Sequence, residues 1–313
     1  MPSIEYPYMP ADRFLKYVPA DHPFMLEAAK AREECAGDPL YPVGIVMVKP
    51  ARPDDPGRSG GDGVVVARAG NGFNRGPGKV HVCPRIVLDC PSGTGYELCD
   101  LHDAPGHSER MVLQAAREAH VDPVGADVYM FGHWWACEPC WTALIEAGVR
   151  DLYVVDDAHE RFSRERVYGE TLTPSVRSVY IAGPLTNVEE IERQRAFYEL
   201  LGSVAEALGC KTCIPHRDSG EQLSPRESRL VYEWATGEVG RADVTVAEVS
   251  VPSLGVGGEL VEAYRAGKHV VLVSKKGSSV SKFVLGNPAV VYHIEYDDQE
   301  DAARQLRNVL RQL

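Results

Sequence analysis

Two short groups of residues in the first half of the sequence carry the side chains of a catalytic zinc site. The first is His107-Ser108-Glu109, and the second is the pair Cys137 and Cys140 in Cys-Glu-Pro-Cys. Zinc prefers tetrahedral nitrogen and sulfur ligands, and a catalytic site uses three of them and leaves the fourth position to water. The pattern therefore predicts Zn²⁺ bound by His107, Cys137 and Cys140, with Glu109 free to move protons. A closed zinc site or two unrelated buried cysteines are the alternatives.

The flanking residues predict the elements that position these side chains. Residues 108–119 place apolar side chains on one face at helical spacing. Residues 128–131 predict a short strand that leads to the cysteines, and residues 141–148 a helix that ends at a glycine. Both groups would then lie at helix N-termini, whose dipoles stabilise thiolates and hydroxide.

Residues 25–155 resemble the cytidine and deoxycytidylate deaminase family, and the deoxycytidylate branch most closely. Besides the two zinc groups, the resemblance rests on three segments: Gly72-Phe73-Asn74, His81-Val-Cys83 and Tyr96-Glu-Leu-Cys99. It implies a zinc-dependent hydrolytic attack on C4 of cytosine, with Asn74 as a substrate contact. Three departures from the family pattern affect the base pocket: Ser108 in place of Ala, Ala136 in place of Pro, and Trp134-Trp135 in place of small or hydroxyl residues.

More cysteines precede the catalytic histidine. They are Cys83, Cys90 and Cys99, accompanied by His81 or His102. In the deoxycytidylate branch this region sometimes holds a structural zinc, and three Cys with one His would fill a closed site. Because the spacings are not C-x-x-C, ordinary thiols are the alternative. The C-x-x-C pair Cys210 and Cys213 falls on an expected strand, which favours buried thiols over a redox centre.

The second half has the pattern of a parallel α/β sheet with a phosphate-binding loop. Residues 179–182 predict an apolar strand that runs into a turn at Gly183, and residues 189–208 predict a helix. A strand over residues 242–249 precedes Ser253, Gly255 and a helix with Glu259 in its predicted first turn. Serine and glycine at a helix mouth leave N–H groups that suit a phosphate. The alternative for Glu259 is an ordinary first-turn acid favoured by the helix dipole.

Residues 179 to about 310 resemble the nucleoside 2-deoxyribosyltransferase superfamily, and within it the 2'-deoxynucleoside 5'-phosphate N-hydrolases. The similarity is dense in Ala-Asp-Val … Ala-Glu-Val … Pro-Ser-Leu-Gly-Val-Gly-Gly-Glu, which ends at Glu259. It implies that Glu259 attacks C1' of the deoxyribose and forms an ester that water resolves. It also implies that Gly183, Ser253 and Gly255 bind substrate, the last two at the 5'-phosphate, and that Ser281 reaches a phosphate across a dimer interface.

One departure in this half concerns acid/base chemistry. The family has an Asp 24 residues before the nucleophilic Glu, and this chain has Ala235 there. Glu233 and Glu238 lie nearby in the sequence, so one of them takes the role or the domain cleaves its nucleotide poorly. Losing an acid/base partner costs about 10²–10⁴ in rate.

Length and composition predict the organisation of the chain. The 313 residues suffice for two domains of about 100–200 residues each, placed at residues 1–170 and 177–313, with the polar residues 157–178 as linker. Both are expected to be three-layer α/β domains, the first with a mixed sheet and zinc, the second with a Rossmann-like parallel sheet. The sheet of the first is expected to begin with a hairpin whose tip spans residues 52–63.

Charge and apolar runs exclude several classes of partner. A net charge of −12 argues against a nucleic acid polymer, although one phosphate of a mononucleotide needs only a few N–H donors. The chain has no run of 18 apolar residues and no signal-peptide pattern at its start, so neither membrane insertion nor secretion is expected. The protein is expected to be cytoplasmic, with reduced cysteines.

The two resemblances concern the same kind of molecule, a nucleoside 5'-monophosphate. Together they predict a bifunctional enzyme that deaminates dCMP, or a 5-substituted dCMP such as 5-hydroxymethyl-dCMP, and hydrolyses the N-glycosidic bond of the product. A homodimer or larger homo-oligomer is expected. Two alternatives remain: a deaminase with a nucleotide-sensing C-terminal domain, which Ala235 favours, and a deaminase fused to a nucleoside deoxyribosyltransferase.

Overall fold

The chain divides into two compact units, each with its own five-stranded sheet. The computed structural model describes residues 5–50, 63–72, 81–99, 106–186, 188–219 and 228–313. The first unit comprises Met1–Lys79 and Cys90–Leu172, and the second comprises Val80–Asp89 and Thr173–Leu313. The predicted first domain was continuous, whereas here a ten-residue segment from its middle belongs to the second unit.

The first unit has a mixed sheet. Its strands are β1 (Leu15–Val18), β2 (Gly44–Pro50), β3 (Gly63–Gly70), β4 (Asp127–Phe131) and β5 (Asp151–Val155). They lie in the order β1-β5-β4-β2-β3. β5 is parallel to both β1 and β4, whereas β2 is antiparallel to both β4 and β3. β2 and β3 form the expected hairpin, and its predicted tip lies outside the described residues.

The second unit has an all-parallel sheet. Its strands are β6 (Ser178–Ala182), β7 (Lys211–Cys213), β8 (Val244–Glu248), β9 (His269–Lys275) and β10 (Val290–Tyr296). They lie in the order β10-β9-β8-β6-β7, and every pairing is parallel. The chain leaves β6 for β7 on one side and returns to β8 on the other, so a crevice for ligands is expected between the carboxyl ends of β6 and β8. The two sheets confirm the predicted fold class.

Helices connect the strands in both units. Those of the described residues are α1 (Pro23–Cys35), α2 (Pro84–Val87), α3 (Ser108–Glu118), α4 (Glu138–Glu146), α5 (Ala158–Arg161), α6 (Arg164–Thr171), α7 (Ile191–Ala207), α8 (Pro215–Asp218), α9 (Ser228–Arg241), α10 (Leu254–Arg265), α11 (Lys282–Leu285) and α12 (Gln299–Leu310). Within the described ranges, none of them has both the length and the apolar character that crossing a membrane requires.

The polar stretch predicted as a linker, residues 157–178, forms helices instead over much of its length. Its first part contains α5 and α6, which belong to the first unit. The Ser163 hydroxyl caps α6 by accepting a hydrogen bond from the Arg166 N–H. Phe162 and Val167 are buried in the core of that unit. A few buried apolar side chains and one cap therefore outweigh a mainly polar composition.

The segment Val80–Asp89 is held in the second unit by α12. The Asn308 side-chain amide donates hydrogen bonds to Val87 O at 3.3 Å and to Asp89 Oδ1 at 3.0 Å. The Gln312 side chain accepts a hydrogen bond from the Cys83 N–H at 2.7 Å. Val87 is fully buried in a cluster with residues of α7 and α12. Specific hydrogen bonds and apolar burial together hold this segment in the second unit.

Cys210 immediately precedes β7 and Cys213 is the last residue of that strand, in agreement with the predicted buried thiols. Cys210 is buried and Cys213 is partly buried. Burial raises the pKa of the Cys213 thiol to about 12, so the thiol is protonated at neutral pH. Because a reactive thiol needs a lowered pKa, this supports a packing role.

Candidate active sites

The three predicted zinc ligands converge in the first unit. His107 is the N-cap of α3, Cys137 is the N-cap of α4, and Cys140 lies in the first turn of α4. His107 Nδ1 lies 3.4 Å from the Sγ atom of each cysteine, and the three atoms are all within 4.8 Å of one another. Zn–N and Zn–S bonds of about 2.0–2.3 Å in a tetrahedron put such atoms roughly 3.6 Å apart. The three residues therefore fit a zinc ion.

The charge state of these ligands also suits a metal. The pKa of the Cys137 thiol is lowered mainly by its hydrogen bond with Cys140 and further by its hydrogen bond with His107, so the thiolate is favoured. The thiolate is the form of cysteine that binds metals. The N-termini of α3 and α4 both face this group, as predicted, and their dipoles stabilise negative charge there.

Glu109, the predicted proton shuttle, lies beside the three ligands in the first turn of α3. Its side chain is buried, and the Ser108 hydroxyl donates a hydrogen bond to Glu109 Oε2 at 3.0 Å. Burial raises the pKa of Glu109 above its usual range, because a buried carboxylate loses its hydration. Ser108, noted as a departure from the family pattern, thus orients the carboxylate in a way that alanine could not.

The surroundings of this site are aromatic. The Tyr96 ring meets the His107 ring edge-on, with centroids 5.0 Å apart. Trp134, in the loop between β4 and α4, contacts Tyr6 and His159, with ring centroids 5.8 and 4.6 Å away. Trp135 is buried. Large aromatic side chains therefore occupy the loop that precedes the cysteines.

Gly72 ties the predicted substrate-binding segment to the zinc ligands. Its backbone N–H donates to Gly106 O at 2.8 Å, immediately before His107. Gly72 has φ +89°, and a Cβ there would lie 2.7 Å from the Asp38 backbone nitrogen, so the position requires glycine. Asn74 lies outside the described residues, and its contact with substrate stays a prediction.

The residues of the predicted second zinc site lie in both units. Cys83 is buried at the N-cap of α2 in the second unit. Cys90 and Cys99 belong to the first unit, and Cys99 is buried. His102 lies outside the described residues. A structural zinc bound by these residues stays a prediction.

The second candidate site lies at the carboxyl edge of the parallel sheet. Gly183 follows β6, and Ser253 follows β8 as the N-cap of α10, where its hydroxyl accepts a hydrogen bond from the Val256 N–H at 3.4 Å. Gly255 lies in the first turn of α10, where backbone N–H groups have no partner within the helix. Gly183 and the Ser253 loop therefore border the crevice between β6 and β8.

Glu259 lies on the same helix, one turn deeper than the sequence pattern predicted. It is the sixth residue of α10, and the first turn of α10 contains no acidic residue. The interpretation of Glu259 as a first-turn acid is therefore wrong, because the dipole effect falls off within the first turn. The Tyr180 hydroxyl donates a hydrogen bond to Glu259 Oε1 at 2.6 Å. Burial raises the pKa of Glu259 to about 7, although the Tyr180 hydroxyl lowers it.

Tyr180 is a site residue that the sequence pattern did not single out. It lies on β6, is fully buried and stands in the apolar run Val-Tyr-Ile-Ala. A buried tyrosine hydroxyl needs a hydrogen-bond partner, and this was the signal available in the sequence. The partner could not be named, because it lies on another element.

Gly183 and Ser281 have structural roles of their own. A Cβ at Gly183 would lie 2.2 Å from the Tyr198 ring, so no larger residue fits there. Ser281 is the exposed N-cap of α11 and accepts a hydrogen bond from the Phe283 N–H at 3.3 Å. The substrate contacts of both residues stay predictions.

A cavity of about 1090 Å³ opens at the same edge of this sheet. Its lining includes Ser250 and Val251, which precede the Ser253 loop, and the buried carboxylate of Glu248. Glu248 accepts hydrogen bonds from the Gln194 amide at 3.1 Å and the Ser250 N–H at 3.0 Å. This cavity is large enough for a ligand of nucleotide size, but its lining includes neither Glu259 nor Tyr180 nor Ser253, so it lies beside the candidate site and is not part of it.

Comparisons with known proteins bear on less than half of the chain. No protein-family model matches it. A Methanosarcina mazei protein provisionally named 2'-deoxynucleoside 5'-phosphate N-hydrolase 1 is 28% identical over 140 residues, which are 44% of this chain and 86% of that protein. A Thermofilum pendens protein with the same provisional name is 30% identical over 145 residues, 42% of this chain and 94% of that protein.

Solved structures show weaker similarity. The solution structure of BlsM is 26% identical, covers 44% of this chain and 92% of its own, and superposes with a TM-score of 0.38. The Clostridium botulinum CMP N-glycosidase BcmB is 18% identical over 42% of this chain and 98% of its own, with a TM-score of 0.32. The sequence relatives carry the assignment: over the 145 residues shared with the Thermofilum protein, this chain belongs to the 2'-deoxynucleoside 5'-phosphate N-hydrolase family.

Proposed function

We propose that this protein is a bifunctional nucleotide enzyme. The first unit deaminates dCMP, or a 5-substituted dCMP such as 5-hydroxymethyl-dCMP, in a zinc-dependent reaction. The second unit hydrolyses the N-glycosidic bond of the resulting deoxyuridylate to free base and deoxyribose 5-phosphate. The second reaction is supported by the names of the two sequence relatives, and the first by the His107, Cys137 and Cys140 geometry and by the resemblance to deaminases.

In the proposed deamination, the residues of the first unit hold the metal and move protons. His107 and the two cysteines would hold Zn²⁺, which when bound makes water nucleophilic at neutral pH. Glu109 takes a proton from the attacking water and delivers it to the ring nitrogen beside C4. It then takes a second proton from the new hydroxyl group on C4 and delivers it to the amino group, which leaves as ammonia while the C4–N bond breaks. Ser108 keeps the carboxylate in place through its hydrogen bond.

In the proposed hydrolysis, Glu259 is the nucleophile. Its carboxylate attacks C1' of the deoxyribose, and Tyr180 holds the attacking group in position. The N–H groups at the start of α10, together with Ser253, offer donors to the 5'-phosphate. The observation that carries this proposal is the carboxylate of Glu259, bonded to Tyr180 and one turn beyond a Ser/Gly helix mouth.

A second copy of the chain is proposed to complete the hydrolase site. The second unit exposes large apolar side chains on three of its helices, and these are Tyr232 (66% exposed), Leu254 (98%), Tyr264 (52%) and Phe283 (77%). Burial of such side chains favours association, and Phe283 is two residues from Ser281. Mixing Glu259→Gln chains with Ser281→Arg chains should restore base release if the site is shared. No recovery after demonstrated subunit exchange would mean that Ser281 acts within its own chain or not at all.

A substrate panel tests the proposed function. Wild-type protein would be incubated with dCMP, CMP, dUMP and their 5-hydroxymethyl forms, and ammonia, free base and deoxyribose 5-phosphate would be measured. We expect ammonia from the deoxycytidylates and free base from the deoxyuridylates. Cleavage that appears only when an acceptor base is added would identify a deoxyribosyltransferase, and absence of base release would support a nucleotide-sensing domain.

A further inference from the structure

Helix α9 borders the site that contains Glu259. It contacts both α10, which carries Glu259, and β6, which carries Tyr180. Its residue Val239 is fully buried and packs in one cluster with Tyr180 and with Leu260, the residue after Glu259. The side of α9 that carries Val239 therefore faces β6 and α10, the two elements that carry Tyr180 and Glu259.

The helical repeat decides which residues of α9 share that side. Positions i, i+3, i+4 and i+7 lie on one face, and from residue 235 they are Ala235, Glu238, Val239 and Ala242. Val239 and Ala242 are buried in the cluster around Tyr180. Glu238 is the only member of the four with an ionisable side chain, and it lies one turn after Ala235.

The other nearby carboxylate, Glu233, lies outside this pattern. Its side chain is 51% exposed and forms an ion pair with Arg229 at 2.7 Å. The Glu238 side chain is 28% exposed and contacts Arg241, whose own side chain is 71% exposed. An ion pair with so exposed a partner is weak, so Glu238 can exchange it for a substrate.

The charge of Glu238 also acts on groups that surround Glu259. Burial raises the pKa of the Tyr180 hydroxyl, and the carboxylates of Glu259 and Glu238 raise it further. Burial likewise raises the pKa of the Cys213 thiol, and the nearby Glu238 adds to that shift. Both effects place the Glu238 carboxylate on the Tyr180 side of α9.

We propose that Glu238 is the acid/base carboxylate of the hydrolase site and occupies, one helical turn later, the place that Ala235 leaves without an acid. This inference rests on the proposed hydrolase function. Hydrolysis of a glycosidic bond with a covalent intermediate uses two carboxyl groups, a nucleophile and an acid/base. Glu259 and Glu238 supply this pair.

The two steps balance with water as the only co-reactant. In the first, a Glu259 oxygen bonds to C1' while the C1'–N bond breaks, its electron pair goes to the base, and the base takes the proton of the Glu238 carboxyl. In the second, water attacks C1' and gives a proton to the Glu238 carboxylate, and the bond between C1' and Glu259 breaks. Both side chains return to their starting states.

Moving the carboxylate along α9 tests this role. Glu238→Gln should lower base release from dUMP by about 10²–10⁴-fold. Glu233→Gln, on the exposed side of the same helix, is the matched control and should leave the rate within about twofold, because it removes only an exposed ion pair. The double variant Ala235→Asp/Glu238→Gln places a carboxyl group on the same face of α9 one turn earlier. Its rate of base release should be at least about tenfold higher than that of Glu238→Gln.

An external nucleophile separates an acid/base role from a structural one. Azide needs no general base, so in Glu238→Ala it should replace water in the second step, speed the breakdown of the ester with Glu259 and yield 2-deoxyribosyl azide 5-phosphate, a product not expected from Glu233→Ala. Glu238→Asp, which keeps a carboxyl group, guards against a folding defect and should retain more activity than Glu238→Gln.

Two outcomes would overturn the inference while leaving the hydrolase function intact. They are wild-type rates in Glu238→Gln, and a loss of activity that Ala235→Asp does not relieve and that is accompanied by no azide product in Glu238→Ala. If wild-type protein released no base from any nucleotide in the panel, the proposed hydrolase function itself would fail.

Discussion

The two candidate sites hold their carboxylates in different ways. In the first unit, Glu109 accepts a hydrogen bond from Ser108, its immediate neighbour in the chain, and the three predicted zinc ligands lie at the start of α3 or α4. In the second unit, Glu259 on α10 is bonded to Tyr180 on β6, 79 residues earlier. One site is assembled at two helix N-termini, and the other depends on the alignment of a helix with a neighbouring strand.

This difference predicts how each site fails. The first site should collapse when any one zinc ligand is lost, because the three ligands share one ion. The second site should keep reduced activity when the Tyr180 hydroxyl is lost, because this hydroxyl lowers the pKa of Glu259 and is not itself the proposed nucleophile. Loss of a predicted zinc ligand should not alter base release, and loss of the Tyr180 hydroxyl should not alter deamination, because each unit has its own sheet and core.

The largest expected effect is that of Cys137→Ala. Loss of one of three ligands should release the catalytic zinc and bring deamination to background, while base release from dUMP stays at the wild-type rate. Zinc per chain, measured by metal analysis, should fall by about one equivalent relative to Cys35→Ala, a change at an exposed cysteine. Unchanged zinc content in Cys137→Ala would contradict the ligand assignment.

Glu109→Gln should separate metal binding from proton transfer. The amide keeps the shape of the side chain and its contact with Ser108 but cannot take up a proton, so deamination should fall by about 10²–10⁴-fold with zinc retained. Glu118→Gln, at the exposed end of the same helix, is the control. If Glu109→Gln lost its zinc, Glu109 would have to be counted among the groups that bind the metal.

Tyr180→Phe should have the smallest effect, and one that depends on pH. In the proposed hydrolysis Glu259 attacks as a carboxylate, so base release should rise as the pH increases through the pKa of Glu259, which is about 7. Tyr180→Phe removes a hydrogen bond that lowers this pKa. The acidic side of the curve of base-release rate against pH should therefore move to higher pH by about 1–2 units, because a hydrogen bond to a charged group contributes about 1.5–3 kcal/mol.

The rate of Tyr180→Phe at pH 7 should therefore fall roughly tenfold and recover toward wild type above pH 9. Tyr264→Phe, at an exposed position on α10, should leave the profile unchanged. An equal loss at every pH would mean that Tyr180 acts through packing alone.

The same contrast explains how far the sequence could predict the molecule. The three predicted zinc ligands and the Ser253 loop lie at the starts of helices within short segments, so the pattern could place the members of each group close together in the fold. Tyr180 was missed because its partner is distant in the chain. The place of Val80–Asp89 in the second unit depends on hydrogen bonds with Asn308 and Gln312, which no local pattern encodes.

The predicted linker and the position of Glu259 along α10 show a related limit of prediction from local sequence patterns. Residues 158–171 are mainly polar, yet they form the two helices α5 and α6, because Phe162 and Val167 are buried in the core of the first unit. The glycine-rich run before Glu259 suggested a loop, whereas Leu254 to Gly258 are already helical. In both places, contacts with the rest of the unit override the preferences of the local residues.

The central claim, two sites that act in sequence on one nucleotide, is tested most directly by a time course with Glu259→Gln. Wild-type protein given dCMP or 5-hydroxymethyl-dCMP should release ammonia, then free base and deoxyribose 5-phosphate in equal amounts. Glu259→Gln should release ammonia at the wild-type rate and accumulate the deoxyuridylate, with base release lowered on the order of 10⁴-fold or more. Loss of both activities in this variant with an intact fold, or base release at the wild-type rate, would contradict the account.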